Sequence, residues 1–130
     1  PRQAKAIYFL NAAGEWQALH STDNHRTGAV TALAPLTGLT FVIVEEPNQW
    51  VGEASWYAYK NGNFAATRAF PKGTKLKVST PTASINESKS ITITVNDYGP
   101  EEWTKRLIDL DKAAFQQLGA LSAGVMPVKI

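Results

Sequence analysis

Ile91, Ile93 and Val95 alternate without a break with Thr92, Thr94 and Asn96. A repeat of two places one set on each face of a β-strand and excludes an α-helix, whose faces recur every 3.6 residues. Thr74–Thr80 shows the same pattern, with Leu76 and Val78 on one side and Lys75 and Lys77 on the other. The polar stretch Pro81–Lys89 lies between them and reads as a hairpin loop. Two amphipathic strands bury one face only, so the chain must supply a further layer or close into a barrel.

The remaining pattern divides into two regions. Residues 1–47 read as a small β-meander, with strands over Ala6–Leu10, Glu15–His20, Gly28–Leu33 and Leu39–Glu45. Ser21–Arg26 is polar and loop-like, and Asn11-Ala12-Ala13-Gly14 is a turn. Pro47-Asn48-Gln49 reads as a short linker. Residues 51–130 form the second region, with further strands over Gly52–Tyr59, Leu107–Leu110 and Gly124–Ile130. Asp111 is placed to cap a short helix over Lys112–Leu118, ended by Gly119, with Ala114, Phe115 and Leu118 on its buried side. The fold class is all-β with one short helix.

Composition limits the function classes. Of 130 residues, 44% are hydrophobic and 18% are charged, which suits a packed β-domain rather than a disordered chain. Residues 52–130 carry ten Lys/Arg against seven Asp/Glu, and residues 1–51 carry three against four, for a formal net charge of +2. That excess is too mild to imply nucleic acid as a partner. Cysteine is absent, which removes a disulfide framework and thiolate metal sites. No apolar run reaches the length of a bilayer span. The chain begins at Pro1 without a signal peptide, as a fragment or processed product would.

Two carboxylates stand out. Asp97 keeps the parity of Ile91, Ile93 and Val95, so the pattern aims it toward the barrel side at the strand's end, before Gly99-Pro100. Desolvation there would raise its pKa, as a general acid requires. The plainer reading is a turn aspartate bonded to local N–H groups. Asp109 lies among apolar neighbours in Arg106-Leu107-Ile108-Asp109-Leu110 and needs a partner, either Arg106 or a backbone amide, or a purpose. Two carboxylates beside one groove would suit cleavage of a glycosidic bond. Trp56, Tyr57 and Tyr98 offer flat faces for sugar rings, although an aromatic side chain in a strand is more often core. Trp50 and Trp103 are possible groove borders. His20 and His25 lack a third ligand, so neither a metal nor a cofactor is called for.

Three stretches taken together are specific: Gly52-Glu53-Ala54-Ser55-Trp56-Tyr57; Phe70-Pro71-Lys72-Gly73-Thr74-Lys75-Leu76-Lys77-Val78; and Val95-Asn96-Asp97-Tyr98-Gly99-Pro100 followed by Arg106-Leu107-Ile108-Asp109-Leu110-Asp111. Their order and spacing, with the trailing Ala113-Ala114-Phe115 and Leu118-Gly119, resemble the rare-lipoprotein-A-like (RlpA-like) double-psi β-barrel, related to barwin and expansin domains. The resemblance implies a six-stranded double-psi barrel over residues 51–130, preceded by the meander. It also implies a secreted or cell-envelope protein whose partner is peptidoglycan or another wall polysaccharide. By position, Asp97 and Asp109 match acidic residues of the family's groove, and Ser55, Tyr57 and Thr67 fall at groove positions.

The sequence also departs from the family. The long insert after Ser-Trp-Tyr shrinks to Ala58–Ala65 and carries no acid; the family's Thr-Ala-Ala-His reads Phe64-Ala65-Ala66-Thr67; and Tyr98 replaces the Arg after Asn-Asp. Three functions remain open at this point. The first is a domain that binds or remodels wall glycan in an open groove, with Ser55, Trp56, Tyr57, Thr67 and Tyr98 in contact and weak or no cleavage. The second is an active lytic transglycosylase using Asp97 or Asp109 as acid and base. The third is a non-catalytic structural or interaction barrel.

Overall fold

The computed structural model describes residues 1–35, 37–81 and 87–130. Among the described residues ten strands and one α-helix follow in chain order: β1 (Arg2–Leu10), β2 (Trp16–Ala18), β3 (Ser21–Asp23), β4 (Val30–Ala32), β5 (Phe41–Tyr57), β6 (Phe64–Ala66), β7 (Lys75–Ser79), β8 (Ser90–Asp97), β9 (Ile108–Asp111), α1 (Lys112–Leu118) and β10 (Val125–Lys129). Part of the hairpin loop expected over Pro81–Lys89 lies outside the described residues.

The strands β5, β10, β7, β8, β6 and β9 pair in that order, and β9 returns to β5, closing a six-stranded ring. Two parallel pairs, β5 with β9 and β6 with β8, lie in this ring beside antiparallel ones. Closure leaves the inner face nowhere to meet solvent. Val78, Ile93, Val95, Ile108 and Leu110 are accordingly buried, and Ala114 and Phe115 of α1 complete the core. The alternating patterns that announce β7 and β8 do supply their inner faces in Val78, Ile93 and Val95.

Asp111 ends β9 and caps α1 by accepting the Ala113 N–H. Its other oxygen accepts the backbone N–H groups of Lys60 at 2.8 Å and Asn61 at 3.1 Å. One buried carboxylate thus fastens the turn after β5 to the start of the helix. Burial alone would raise its pKa, but these N–H donors outweigh that and hold it below the ordinary carboxylate range. Gly119 ends the helix in an extended conformation rather than a left-handed one. A Cβ there would meet the Met126 methyl at 2.8 Å, the movable end of a flexible side chain.

The amino-terminal strands attach to this ring through β5. β1 pairs with β5 and β2 with β1, while β3 and β4 form a separate two-stranded sheet. Ser21–Asp23 is therefore strand, not the loop its polarity suggests. Asp23 accepts a two-pronged contact from the Arg2 guanidinium and the Lys5 N–H, which ties that small sheet to β1.

Pro47–Gln49, expected as a linker, lies inside β5 as an enlarged bulge. Gln3 pairs with Trp50 and Lys5 with Glu45, so residues 46–49 of β5 have only Ala4 opposite them. A bulge tolerates proline, which has no N–H to give to a ladder. Asn48 takes the left-handed conformation there, with φ of 61°. Glu46 reaches Lys129 of β10 at 3.0 Å and pins the bulge to the ring.

Candidate functional site

Three ladders bring the candidate residues together. β5 sets Ala54 opposite Ile108 and Ser55 opposite Asp109. β6 sets Ala65 opposite Leu110 and Ala66 opposite Asp109. On its other side, β6 sets Ala65 opposite Val95 and Ala66 opposite Asp97, passing over Asn96. Residues facing each other across a ladder share a side of the sheet. Ala65, Val95 and Leu110 are core, so Asp97, Ala66, Asp109 and Ser55 form one row on the outer side. With strands about 4.8 Å apart, the two aspartate backbones stand about 10 Å from each other.

This row corrects the inward placement of Asp97. The extra residue at Asn96 is a bulge, and it reverses the parity carried by Ile91, Ile93 and Val95. Asp97 is exposed. Its Oδ1 accepts the Tyr98 N–H at 2.9 Å and lies 3.4 Å from Lys72 Nζ. The N–H bond first, and the ammonium second, hold its carboxyl below the usual range. The raised pKa expected of a desolvated acid is therefore absent at Asp97, which stands as a carboxylate at neutral pH.

Asp109 is half-buried, and its satisfying donor is neither Arg106 nor a backbone amide but the Ser55 hydroxyl, which donates to Oδ1. Gly99 brings the turn after Asp97 down onto this pair. A Cβ at Gly99 would lie 3.5 Å from the Ala66 methyl and 3.6 Å from Asp109 Oδ2. Both aspartates and the Tyr98–Pro100 turn thus converge on Ala66, whose small side chain leaves space for the approach.

Tyr57 belongs to the next row, opposite Asp111. Its hydroxyl donates to Asn96 Oδ1 at 3.3 Å. Burial, then the fields of Asp111, Asp97 and Asp109, push its pKa up to about 12. It is a firmly protonated donor within an acidic neighbourhood. Among the described residues the buried Asn96 Nδ2 has no hydrogen-bond partner, and Thr22 Oγ1 in β3 is in the same state.

Trp56 and Thr67 lie elsewhere than the sequence suggests. Trp56 is on the core side of β5, partly buried, with its indole N–H on the Leu121 carbonyl at 3.1 Å. Alternation within Ala54-Ser55-Trp56-Tyr57 carries that signal, since Trp56 shares parity with buried Ala54. Thr67 is fully buried, and its hydroxyl donates to the Leu107 carbonyl at 3.1 Å. Thr67 thus offers no surface to a polymer, and Trp56 offers only its partly exposed part. Ser55 is nearly buried and acts through Asp109. Trp50 packs against the core, whereas Trp103 is exposed on the short turn Glu102–Thr104.

Sequence reasoning overlooked Tyr59, Lys60 and Lys72. Tyr59 is exposed, with its ring 6.4 Å from that of Tyr57, and the Lys60 ammonium lies 5.7 Å from its centroid. Lys72 Nζ lies 4.6 Å from the centroid of exposed Tyr98. Tyr98 follows the β8 end of the aspartate row, and Tyr59 follows the β5 end of the next. An aromatic residue with a lysine over its ring therefore stands at each end of a diagonal across the two carboxylates.

Along this row Asp97 is exposed, Asp109 is half-buried, and Ala66 and Ser55 are buried. A cavity of about 660 Å³ lies between the meander and the ring, lined by Lys5, Ser21, Lys75 and Lys77 among others, and none of the row residues lines it.

A family model described as lytic transglycolase (DPBB_1) matches residues 49–130. The endolytic peptidoglycan transglycosylase RlpA of Campylobacter jejuni is 32% identical over 93 residues, a match covering 61% of this chain and 32% of that protein. The chain spans about a third of the length of the curated relative it matches.

Proposed function

The chain belongs to the lytic transglycolase family of double-psi β-barrels, and from that premise we propose that it binds peptidoglycan glycan strands across the Asp97–Ala66–Asp109–Ser55 row, with weak or no cleavage. It acts in the cell envelope, where that polymer lies. The observation that carries this reading is the row itself, an exposed and a half-buried carboxylate on one outer side of the sheet with exposed tyrosines at both ends of the diagonal. Carboxylates accept sugar hydroxyls, and tyrosine faces take the apolar side of a sugar ring.

Binding is favoured over cleavage by the protonation of the site. A glycosidic oxygen leaves only when a proton reaches it. Asp97 is held as a carboxylate by Tyr98 N–H and Lys72. Thr67, standing where the resembled family has histidine, is sealed beneath the surface. Asp109 favours a second reading, slow transglycosylation, because it is half-buried and its Oδ1 takes the Ser55 hydroxyl.

One experiment separates the two. The chain is incubated with purified sacculi, the bound fraction is measured, and soluble products are examined by mass spectrometry. Binding without anhydro-muropeptides is expected. Tyr98→Ala should weaken retention roughly three- to tenfold, the range of one aromatic contact. Anhydro products that disappear in Asp109→Asn would establish cleavage instead. A chain that neither stays on sacculi nor releases products would remove the glycan reading.

A further inference from the structure

We propose that Lys72 is the residue by which this face selects a carboxylate-bearing glycan over a neutral one; the inference rests on the binding function above. A peptidoglycan strand carries carboxylates on its muramic acid or on the peptide stems. The face it would cross already holds two carboxylates of its own, Asp97 and Asp109. Like charges that meet at such a surface repel, so an acidic strand needs a cation beside the row.

Lys72 is so placed. Among the described residues it is the one cation within ion-pair distance of either row aspartate, with Nζ 3.4 Å from Asp97 Oδ1. Arg68, the other basic residue on that side, donates to the Pro100 carbonyl at 3.0 Å and lies 3.4 Å from Glu101. Lys60 stands at the far end of the diagonal, over Tyr59 and Phe64.

The root of Lys72 is fixed while its tip is half exposed. Thr74 N–H bonds the Pro71 carbonyl at 3.2 Å, and Gly73 follows with φ of 92°. This is a turn with Lys72 at its first central position and glycine at the second, which needs positive φ. Gly73 N–H bonds the Val95 carbonyl at 2.8 Å, tying the turn to β8 two residues before Asp97. Backbone position is thereby set relative to the aspartate. The ammonium itself makes only exposed contacts, one ion pair and one cation–π approach to Tyr98. Contacts of that kind are weak. An ammonium has three donors, and the Lys72 side chain is half exposed, so it can turn to an incoming carboxylate and uncover the Tyr98 face for the sugar.

The test compares the full chain and its Lys72→Met and Lys72→Arg variants on two forms of one polymer: native sacculi, and sacculi whose carboxylates have been converted to amides. Wild type should hold native sacculi roughly three- to fivefold more tightly than amidated ones, the scale of one exposed charge contact. Lys72→Met should hold both forms alike, and Lys72→Arg should restore the preference. Raising salt to about 1 M, where the screening length is about 3 Å, should erase the wild-type preference. Because the muramic carboxyl is held in an amide wherever a stem is attached, sacculi stripped of stems identify the source: tighter binding to native than to stripped sacculi assigns the stem carboxylates, and tighter binding to stripped sacculi assigns the muramic carboxylate that stripping frees. A preference unchanged in Lys72→Met, or no preference in wild type, overturns the inference while leaving glycan binding in place. A wild-type chain that binds neither form overturns the binding function, and this inference with it.

Discussion

The two ends of β5 pass through opposite environments. At its start, Phe41, Val42, Ile43 and Val44 are four successive apolar β-formers, and all are exposed. Successive strand residues point to opposite faces, so both faces of the sheet meet solvent there. At the other end, Ala54 is sealed within the ring, and Val51 is buried on the opposite face of the strand, beside the cavity between the meander and the ring. Hydrophobicity is at least as high in the first stretch, yet only the second has a core. The difference teaches that apolar sequence specifies a strand, while closure of the sheet decides whether the strand is buried. β1 and β2 give the first stretch neighbours in one plane, and β9 and β10 give the second a curved wall.

Mutations should break the molecule unequally along this divide. Phe115→Ala removes a ring that is 0% exposed in the barrel core and should cost about 4 kcal/mol in urea unfolding. A loss under about 1 kcal/mol would mean the ring interior is loosely packed.

Asp111→Ala deletes the acceptor for Lys60, Asn61 and Ala113 N–H groups and should cost about 3 kcal/mol. Its pH signature sharpens the comparison. The folded-state pKa of Asp111 lies below its unfolded value, so its stabilisation is present above that unfolded value, near pH 4, and is lost as pH falls through the folded one. Wild type should weaken on acidification below about pH 4, and Asp111→Ala should show a flatter acid limb. Equal slopes would remove Asp111 from that role. Asp23 in the amino-terminal region is depressed as well: burial opposes this, and the Arg2 and Lys5 contacts outweigh it. The residual acid sensitivity of the variant therefore reports on the meander.

The smallest effect belongs to Ile43→Thr, at a position 60% exposed, which should change stability by no more than about 0.5 kcal/mol. A loss like that of Phe115→Ala would show that the outer sheet is covered in solution.

Much of the barrel was legible because β7, β8 and α1 follow their own periods, and Asp111 caps the helix as its chemistry demands, while Gly119 ends it in an extended conformation. β6 was not, since Phe64-Ala65-Ala66 is too short to show alternation. β3 was missed because Ser21-Thr22-Asp23 has no apolar member and is held from outside by the Arg2 guanidinium on Asp23 and the Ile7 N–H on the Ser21 hydroxyl. The site was legible in membership more than in orientation. Asp97 and Asp109 do share a face, but the bulge at Asn96 is a backbone event that no residue type announces. The ionised state of Asp97 depends on Lys72, distant in sequence and brought near by the Pro71–Thr74 turn. Tyr59 could have been found from its odd-numbered parity with Ser55 and Tyr57.

The bulge at residues 46–49 has a consequence for how this chain tolerates change in length. Inserting or deleting one residue within the paired parts of β5 would exchange inside for outside all along the ladder, driving Ser55 and Tyr57 into the core and Trp56 into water. Within the bulge the same edit is absorbed by slack, because those four residues are not counted off against partners. It is the point in the strand where spacing can drift while the aspartate row stays in register.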